Sequence, residues 1–323
     1  MSAAILDGPP IGRILFPYMA QRTRDVIAAG GRFVYYTTAD TAAKILGNRQ
    51  VWMRSTTAMN DYMEVEHGFD CLNASYNAEP RKTFNRALDA CFPGLGAELL
   101  ELFNGWLPGI RQDTYLLCVS EHLPEEDRHG RLSMWRAYGG QAGVALVLNG
   151  GVMFRESHAL GAYTSPVAYL TPDAFASDFT RIAEAMAAET GYIQTFDRDT
   201  IKTHAFNMLR FAVVCTKHPG FHEEREWRVV ASPAMYPSDL LSSSVEVVRG
   251  IPQTVLKIDL ENHPDRGLTG LALPELLNRI IIGPCEFPLV VVKAFRQLLT
   301  DAGVPEPGSK IFVSDIPLRH LGV

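Results

Sequence analysis

Short segments rich in β-branched and aromatic residues recur along the whole chain, and this recurrence is the strongest constraint on its fold. These segments outnumber the obvious strand-helix-strand alternations, so the pattern favours an α+β fold over a doubly wound parallel sheet. We therefore predict a mixed, mainly antiparallel central sheet with helical insertions. The predicted strands are RFVYYT (32–37), QVWMRS (50–55), TYLLCVS (114–120), GVALVLN (143–149), EREWRVVAS (224–232), SSVEVV (243–248), TVLKIDL (254–260), NRIIIG (278–283) and KIFVS (310–314).

Helical patterns fall between these strands, and no convincing linker divides the chain. We predict a single α+β domain over residues 32–323, an N-terminal extension over 1–31, and helical insertions at about 62–107 and 173–212. A further helix is predicted at about 288–302, before the last strand.

Two helix starts carry capping signals. The helix ADTAAKILGN (39–48) follows the first strand, with Thr38 or Asp40 placed to cap it. Asp61 and Glu64 have the spacing of an N-cap and its reciprocal partner, which predicts another helix start.

Composition indicates a globular protein of a reducing compartment. The chain has 323 residues, of which 47% are hydrophobic and 20% charged. Its net charge of −6 gives no global reason to bind a phosphate backbone, so nucleic acid is not a default partner. The five cysteines are far apart, and no apolar run is long enough for a signal core or a membrane span. We therefore expect a cytoplasmic protein without a membrane partner.

Several common catalytic signatures are missing from the sequence. It contains no G-x-x-x-x-G-K-[ST] phosphate loop, no G-x-G-x-x-G after a strand, and no G-x-S-x-G elbow. His218 and His222 have a helical interval, but Pro219 and Gly220 between them oppose a regular helix and hence a shared metal-binding face. We expect no metal.

An unusual concentration of charge precedes the strand RVVAS. Strand alternation puts Glu224, Glu226 and Arg228 on one face, and Arg225 and Trp227 on the other. Two carboxylates on one face repel, so each needs a cation, a hydrogen-bond donor or water. Surface salt bridges are one interpretation. The other is a pair of catalytic carboxylates, held rigidly by a strand that lines a pocket.

Two further groups of polar side chains stand at strand ends. A hydroxyl at a strand end before a helix N-terminus can hold ribose hydroxyls or a phosphate, whereas core, cap and turn roles explain the same residues without a ligand. Trp135 and Tyr138 can stack on a ring, although the apolar residues around them favour a core role. The strand-end candidates are Tyr35, Tyr36, Thr37, Ser55, Thr56 and Asn60.

Taken in order, the motifs resemble a bacterial group known as domain-of-unknown-function family 2971. The resemblance extends from about residue 32 to the C-terminus. Tyr62 is a departure, since members commonly carry proline there. The motifs are VYYTTADTAAKIL, VWMRSTTAMNDYMEVE, LLCVSE, MWRAYGGQAGVALVL, HEEREWRVV, IIIGP and IFVSDIPLR.

The first strand and helix are also similar to those of ADP-ribosyltransferases, including the DNA-modifying toxin group. This resemblance implies an ADP-ribosyltransferase-like fold that uses NAD as substrate. Tyr35 falls where those enzymes often have a histidine or arginine that holds the nicotinamide ribose. The Ser-Thr-Thr at 55–57 resembles a Ser-Thr-Ser element, and the Glu-Arg-Glu at 224–226 resembles a Glu-x-Glu element, at a much longer interval.

These observations lead to one principal hypothesis and two alternatives. The resemblance implies an NAD-dependent ADP-ribosyltransferase, a toxin or defence effector that modifies a protein, nucleic acid or small-molecule acceptor. Glu226 is expected to stabilise the developing charge and Glu224 to activate the acceptor, while Arg228 and the strand-end candidates shape the NAD pocket. The alternatives are a non-catalytic ligand-binding or sensor domain, and a nucleotide or sugar hydrolase that uses the paired carboxylates.

Overall fold

Strands form where apolar segments recur, as the sequence predicts. The structure is a computed structural model that describes residues 11–59, 65–76, 78–155 and 157–317. Each predicted segment contains a strand, although EREWRVVAS is a strand only from Glu226 onwards. Three short strands were not predicted, because their segments lack a long apolar run. The strands are β1 Arg32–Thr38, β2 Gln50–Ser55, β3 Tyr115–Glu121, β4 Gly143–Asn149, β5 Ala162–Pro166, β6 Ala168–Tyr169, β7 Thr216–Lys217, β8 Glu226–Ala231, β9 Leu241–Val248, β10 Ile251–Asp259, β11 Leu277–Ile282 and β12 Ile311–Val313.

Ten of these strands form one mixed, mainly antiparallel sheet, so the predicted α+β class is confirmed. Its main path has the order β12-β11-β4-β1-β3-β2-β10-β9, and β8 and β5 extend it from β3. β11 and β12 run parallel, whereas the other pairings within the described sheet are antiparallel. β6 and β7 form a separate parallel pair.

Strand β3 is the branch point of the sheet. On one side it pairs with β1 near Ser120 and with β2 near Leu116, so these two neighbours share a single edge. On its other side β3 pairs with β8 along its length. The branch brings the charged start of β8 next to the end of β3.

The helices cover both faces of the sheet. The helices between β2 and β3 pack with those between β6 and β7 on one face, and the helices that follow β1 and β11 pack on the opposite face. The helices are α1 Ile11–Leu15, α2 Pro17–Ala28, α3 Ala39–Asn48, α4 Glu66–Tyr76, α5 Glu79–Cys91, α6 Leu95–Gln112, α7 Leu132–Tyr138, α8 Pro172–Ala188, α9 Thr190–Ile193, α10 Arg198–Val214, α11 Leu273–Leu276 and α12 Pro288–Asp301.

The described part of the N-terminal segment also belongs to the core. Ile14 and Leu15 of α1 and Met19 of α2 are buried in the same hydrophobic cluster as α5 and α10. Helices α1 and α2 are therefore packed on the domain that follows them. Within the residues that the structure describes, no helix combines the length and hydrophobicity needed to cross a bilayer.

The capping predictions have separate outcomes. Thr38 caps α3, because its side chain accepts a hydrogen bond from the backbone N–H of Thr41. The proposed capping pair Asp61 and Glu64 lies outside the described residues, as does Asn60.

Candidate functional site

The charged segment before β8 is only partly a strand. β8 begins at Glu226, whereas Pro219–Glu224 forms a short 3₁₀ helix and Arg225 adopts a left-handed conformation with φ of 43°. The prediction that Glu224 and Arg225 alternate within the strand is wrong. His218 caps this 3₁₀ helix, since its ring nitrogen accepts a hydrogen bond from the backbone N–H of Gly220. The residues from Pro219 to Glu224 therefore belong to the 3₁₀ helix and not to the strand.

Within β8 the predicted alternation is confirmed. Glu226 and Arg228 share the face of the sheet against which α10 packs. There the Arg228 guanidinium donates a hydrogen bond to the backbone carbonyl of Val214. Trp227 lies on the opposite face, in a buried aromatic group with Phe33. Trp227 thus anchors the strand in this aromatic group, and the charged side chains of Glu226 and Arg228 lie on the opposite face.

A buried ion cluster assembles around Lys217 at the end of β7. Lys217 Nζ lies 2.7 Å from Glu224 Oε2 and 3.3 Å from Glu226 Oε2. Arg228 Nε donates to Glu226 Oε1 over 2.8 Å. The side chains of Glu226, Lys217 and Arg228 are 5%, 5% and 0% exposed, whereas that of Glu224 is 17% exposed. Two negative and two positive groups therefore neutralise each other, and Glu224 is the member nearest to solvent.

The cluster keeps Glu226 ionised. Burial acts to raise the pKa of the Glu226 carboxyl, but the charges of Arg228 and Lys217 outweigh this effect and hold the pKa below its usual range. Glu226 is therefore a fixed carboxylate at neutral pH.

Two tyrosines complete the surroundings of the carboxylates. Tyr138 Oη, at the end of α7, donates to Glu224 Oε1 over 3.1 Å. The backbone N–H of Glu226 donates to Tyr169 Oη over 2.8 Å. Burial, together with the negative charge of Glu224, raises the pKa of Tyr138, so its hydroxyl stays protonated and remains a donor. The side chain of Trp135, by contrast, is 2% exposed and has a core role.

Strand register decides which tyrosine of β1 faces this cluster. Val34 pairs with Ser120, and Ser120 pairs with Glu226, so these three side chains share one face of the sheet. Tyr36 lies on that face by alternation, and Tyr35 lies on the other. The structure therefore brings Tyr36 to the carboxylate face and separates Tyr35 from it.

The other strand-end candidates are distant from the cluster or have local partners. Thr37 shares the face of Tyr35. Ser55 pairs with Tyr115, at the far end of β3 from Ser120, which corresponds to roughly 16 Å along the strand. Ser55 caps the 3₁₀ turn at 56–58, and Thr56 Oγ1 donates to a backbone carbonyl over 3.0 Å. These hydroxyls serve turn structure in the arrangement observed.

Sequence reasoning missed Lys217 and Arg131. The Arg131 guanidinium donates to the carbonyls of Glu223 and Glu224, at 2.7 and 3.1 Å, and to that of Glu121 at 2.8 Å. It thereby ties the turn before β8 to the end of β3. A signal for Lys217 was present, because this lysine precedes a Pro-Gly turn that leads into an acidic run.

Comparison with known protein families gives a match over part of the chain. Residues 134–229 match the family described as Protein of unknown function (DUF2971). The match is shorter than the region over which the motifs resemble this family, but it includes every member of the ion cluster and both adjoining tyrosines. No curated protein and no solved structure matches the chain, so no ADP-ribosyltransferase relative is found.

Proposed function

We propose that this protein cleaves the bond between nicotinamide and ribose in NAD and transfers ADP-ribose to an acceptor, with Glu224 and Glu226 at the reacting centre. The observation that carries the proposal is the position of Lys217 Nζ, which lies between Oε2 of Glu224 and Oε2 of Glu226. Two carboxylates converge there on one positive group. A toxin or defence effector that modifies a macromolecule fits this reaction class.

Electrostatic complementarity links this arrangement to the reaction. Departure of nicotinamide builds positive, oxocarbenium-like charge on the ribose, and a preorganised pair of carboxylates stabilises such charge. In the structure, the Lys217 ammonium lies in the negative potential of these two carboxylates, which is the potential proposed to stabilise the ribose. Its long, flexible side chain allows the ammonium to withdraw as the ribose enters. The Phe221 ring, 4.5 Å from Nζ, offers an alternative contact for it.

The two carboxylates take different roles in this proposal. Glu226 is held on one oxygen by Arg228, so its other oxygen is oriented towards the ribose and stabilises the developing charge. Glu224 is more exposed, and Tyr138 orients it, so it accepts the proton of the acceptor. Tyr36, which shares their face, replaces Tyr35 as the tyrosine proposed to contact the nicotinamide ribose.

Nicotinamide release from NAD tests this proposal, with Glu224→Gln and Glu226→Gln compared with the wild-type protein. Each substitution is expected to lower kcat about 100-fold or more, because a preorganised charge at the reacting centre is lost. Glu223→Gln is the matched control, since Glu223 is adjacent and exposed, and it should keep the wild-type rate within about twofold. Circular dichroism establishes that each variant is folded.

Two results would refute the proposal. One is a wild-type protein that is neither stabilised by NAD nor able to release nicotinamide from it. The other is a folded Glu226→Gln variant that releases nicotinamide at the wild-type rate.

A non-catalytic binding domain is the second candidate function. The observation that favours it is the complete neutralisation of Glu226, both of whose oxygens contact a cation. Buried pairs of this kind also occur as purely structural features. This function predicts that NAD turnover is absent while the ion cluster still contributes strongly to stability.

A further inference from the structure

The face of the sheet opposite the ion cluster encloses an apolar cavity of about 140 Å³. Strands β1, β3 and β4 contribute Tyr35, Leu117 and Leu146 to its wall, and the loop between β10 and α11 contributes Leu268. Aliphatic side chains form most of the lining. A void of this size forfeits dispersion contacts on all its walls, and an engineered apolar cavity of about 150 Å³ in another protein stays dry and binds benzene. The cavity therefore suits the apolar part of a small ligand.

The cavity has a polar edge formed by the loop between β4 and β5. Arg155 lines the cavity and is also exposed to solvent, so this residue connects the cavity with the protein surface. Ser157 in the same loop donates to the carbonyl of Arg266 over 3.3 Å, which joins the two loops that border the cavity. One end of a ligand can thus remain near solvent.

Among the described residues of the cavity lining, Arg155 is the only charged side chain. Among the described residues, Arg155 has no ion pair or hydrogen-bond partner, and the lining contains no aspartate or glutamate. Burial raises the pKa of the Tyr35 phenol, so this hydroxyl is neutral at physiological pH. A guanidinium binds a carboxylate with paired, charge-assisted hydrogen bonds. The edge of the cavity is therefore complementary to an anionic head group.

We propose that the cavity binds a medium-chain fatty acid, with the hydrocarbon chain inside and the carboxylate on Arg155. The apolar wall selects the chain, and the single arginine selects a monoanionic head over a neutral alcohol. The site shares no residue with the ion cluster and lies on the other face of the sheet. It is therefore independent of the proposed NAD chemistry.

Calorimetric titration with octanoate tests this site, and 1-octanol serves as the uncharged probe of equal chain length. Wild-type protein is expected to bind octanoate at one site per chain and to bind octanol more weakly. Arg155→Gln should weaken octanoate binding about tenfold and leave octanol binding unchanged, because only the head-group contact is lost. Arg296→Gln is the matched control, since this exposed arginine lies on α12 outside the cavity.

A second variant tests whether the ligand enters the cavity. Val152→Phe, on the half-buried cavity wall, should abolish binding of both probes by filling the space. Leu148→Phe is the substitute if that variant fails to fold. The proposal is overturned if wild-type protein does not bind octanoate, if Arg155→Gln binds it as tightly as wild type, or if a folded cavity-filling variant keeps its affinity. Wild-type NAD turnover with no octanoate binding would reject this site alone.

Discussion

Tyr35 and Glu226 lie on opposite faces of the central sheet, whereas the resemblance to ADP-ribosyltransferases implies one substrate pocket for both. The pairings of Val34 with Ser120 and of Ser120 with Glu226 fix this arrangement. Because side chains alternate along a strand, the same register turns Tyr36 towards the carboxylates. A shift of one residue in the pairing of β1 would exchange the faces of the two adjacent tyrosines. The register thus decides that Tyr36 lies on the face of the candidate site and Tyr35 on the face of the apolar cavity.

Glu226→Gln should destabilise the protein strongly at neutral pH. The substitution leaves Lys217 and Arg228 buried without their shared carboxylate, and breaking a buried ion pair costs about 3–5 kcal/mol. Urea unfolding at pH 7 measures this loss. Glu223→Gln, at an exposed position, should change the free energy of unfolding by less than about 0.5 kcal/mol.

The effect of Glu226→Gln should also depend on pH. The pKa of Glu226 is lowered in the folded state, so its stabilising effect is present above the unfolded glutamate pKa of about 4.3 and is lost as the pH falls below that value towards the folded-state pKa. The difference between wild type and variant should therefore narrow between pH 5 and the lowest pH at which both fold. A difference that stays constant over this range would show that the charge of Glu226 is not its source.

Lys217→Met should destabilise the protein by an amount that also depends on pH. Lys217 helps to lower the pKa of the Glu226 carboxyl, so its removal brings that pKa back towards its ordinary value. A smaller depression of the pKa contributes less stability above the unfolded glutamate pKa of about 4.3, and this difference disappears as the pH falls towards the folded-state pKa. The deficit relative to wild type should thus be larger at pH 7 than at the lowest pH at which both proteins fold.

Urea unfolding at both pH values measures the deficit of Lys217→Met. Lys82→Met is its control, because the exposed pair of Lys82 and Glu79 has little influence on stability. An equal deficit at both pH values would show that the loss of stability does not come from the change in the Glu226 pKa.

Much of the sheet could be predicted from the sequence, whereas the site could not be assembled from it. Strands and the Thr38 cap are local features, encoded by adjacent residues. The contact of Lys217 with Glu226 depends on a two-residue strand, which is too short to leave a periodic signal. The position of Tyr36, rather than Tyr35, on the carboxylate face depends on the pairing of β3 with both β1 and β8. Alternation within one strand carries no information about partners that are distant in the sequence.

Two glycines in the helices test the packing of α4 against α10, and the second of them serves as the control. Gly68 of α4 lies against α10 so closely that an added Cβ would overlap the carbonyl group of Val213, with its carbon at 2.7 Å. Gly68→Ala must separate the two helices and should cost about 1–3 kcal/mol or more. Gly105 is also helical but has open space around it, so Gly105→Ala should stabilise by about 0.5–1 kcal/mol.

Thermal unfolding compares the two alanine variants directly. Opposite shifts of Tm are expected, downward for Gly68→Ala and upward for Gly105→Ala. Equal shifts would be inconsistent with close contact between α4 and α10.

Separate substitutions of Tyr35 and Tyr36 in β1 test which face of the sheet takes part in nicotinamide release. Tyr36 Oη accepts the backbone N–H of Arg131 over 2.8 Å, and Arg131 holds the turn that carries Glu224. Tyr36→Phe should therefore lower the rate of nicotinamide release about 10- to 100-fold, because a small displacement of a reacting group has effects of this size. Tyr35→Phe should leave that rate within about twofold of wild type, since Tyr35 lines the cavity on the other face. Kinetic assays on both folded variants measure the contrast, and a larger loss in Tyr35→Phe would show that the substrate binds on the cavity face instead.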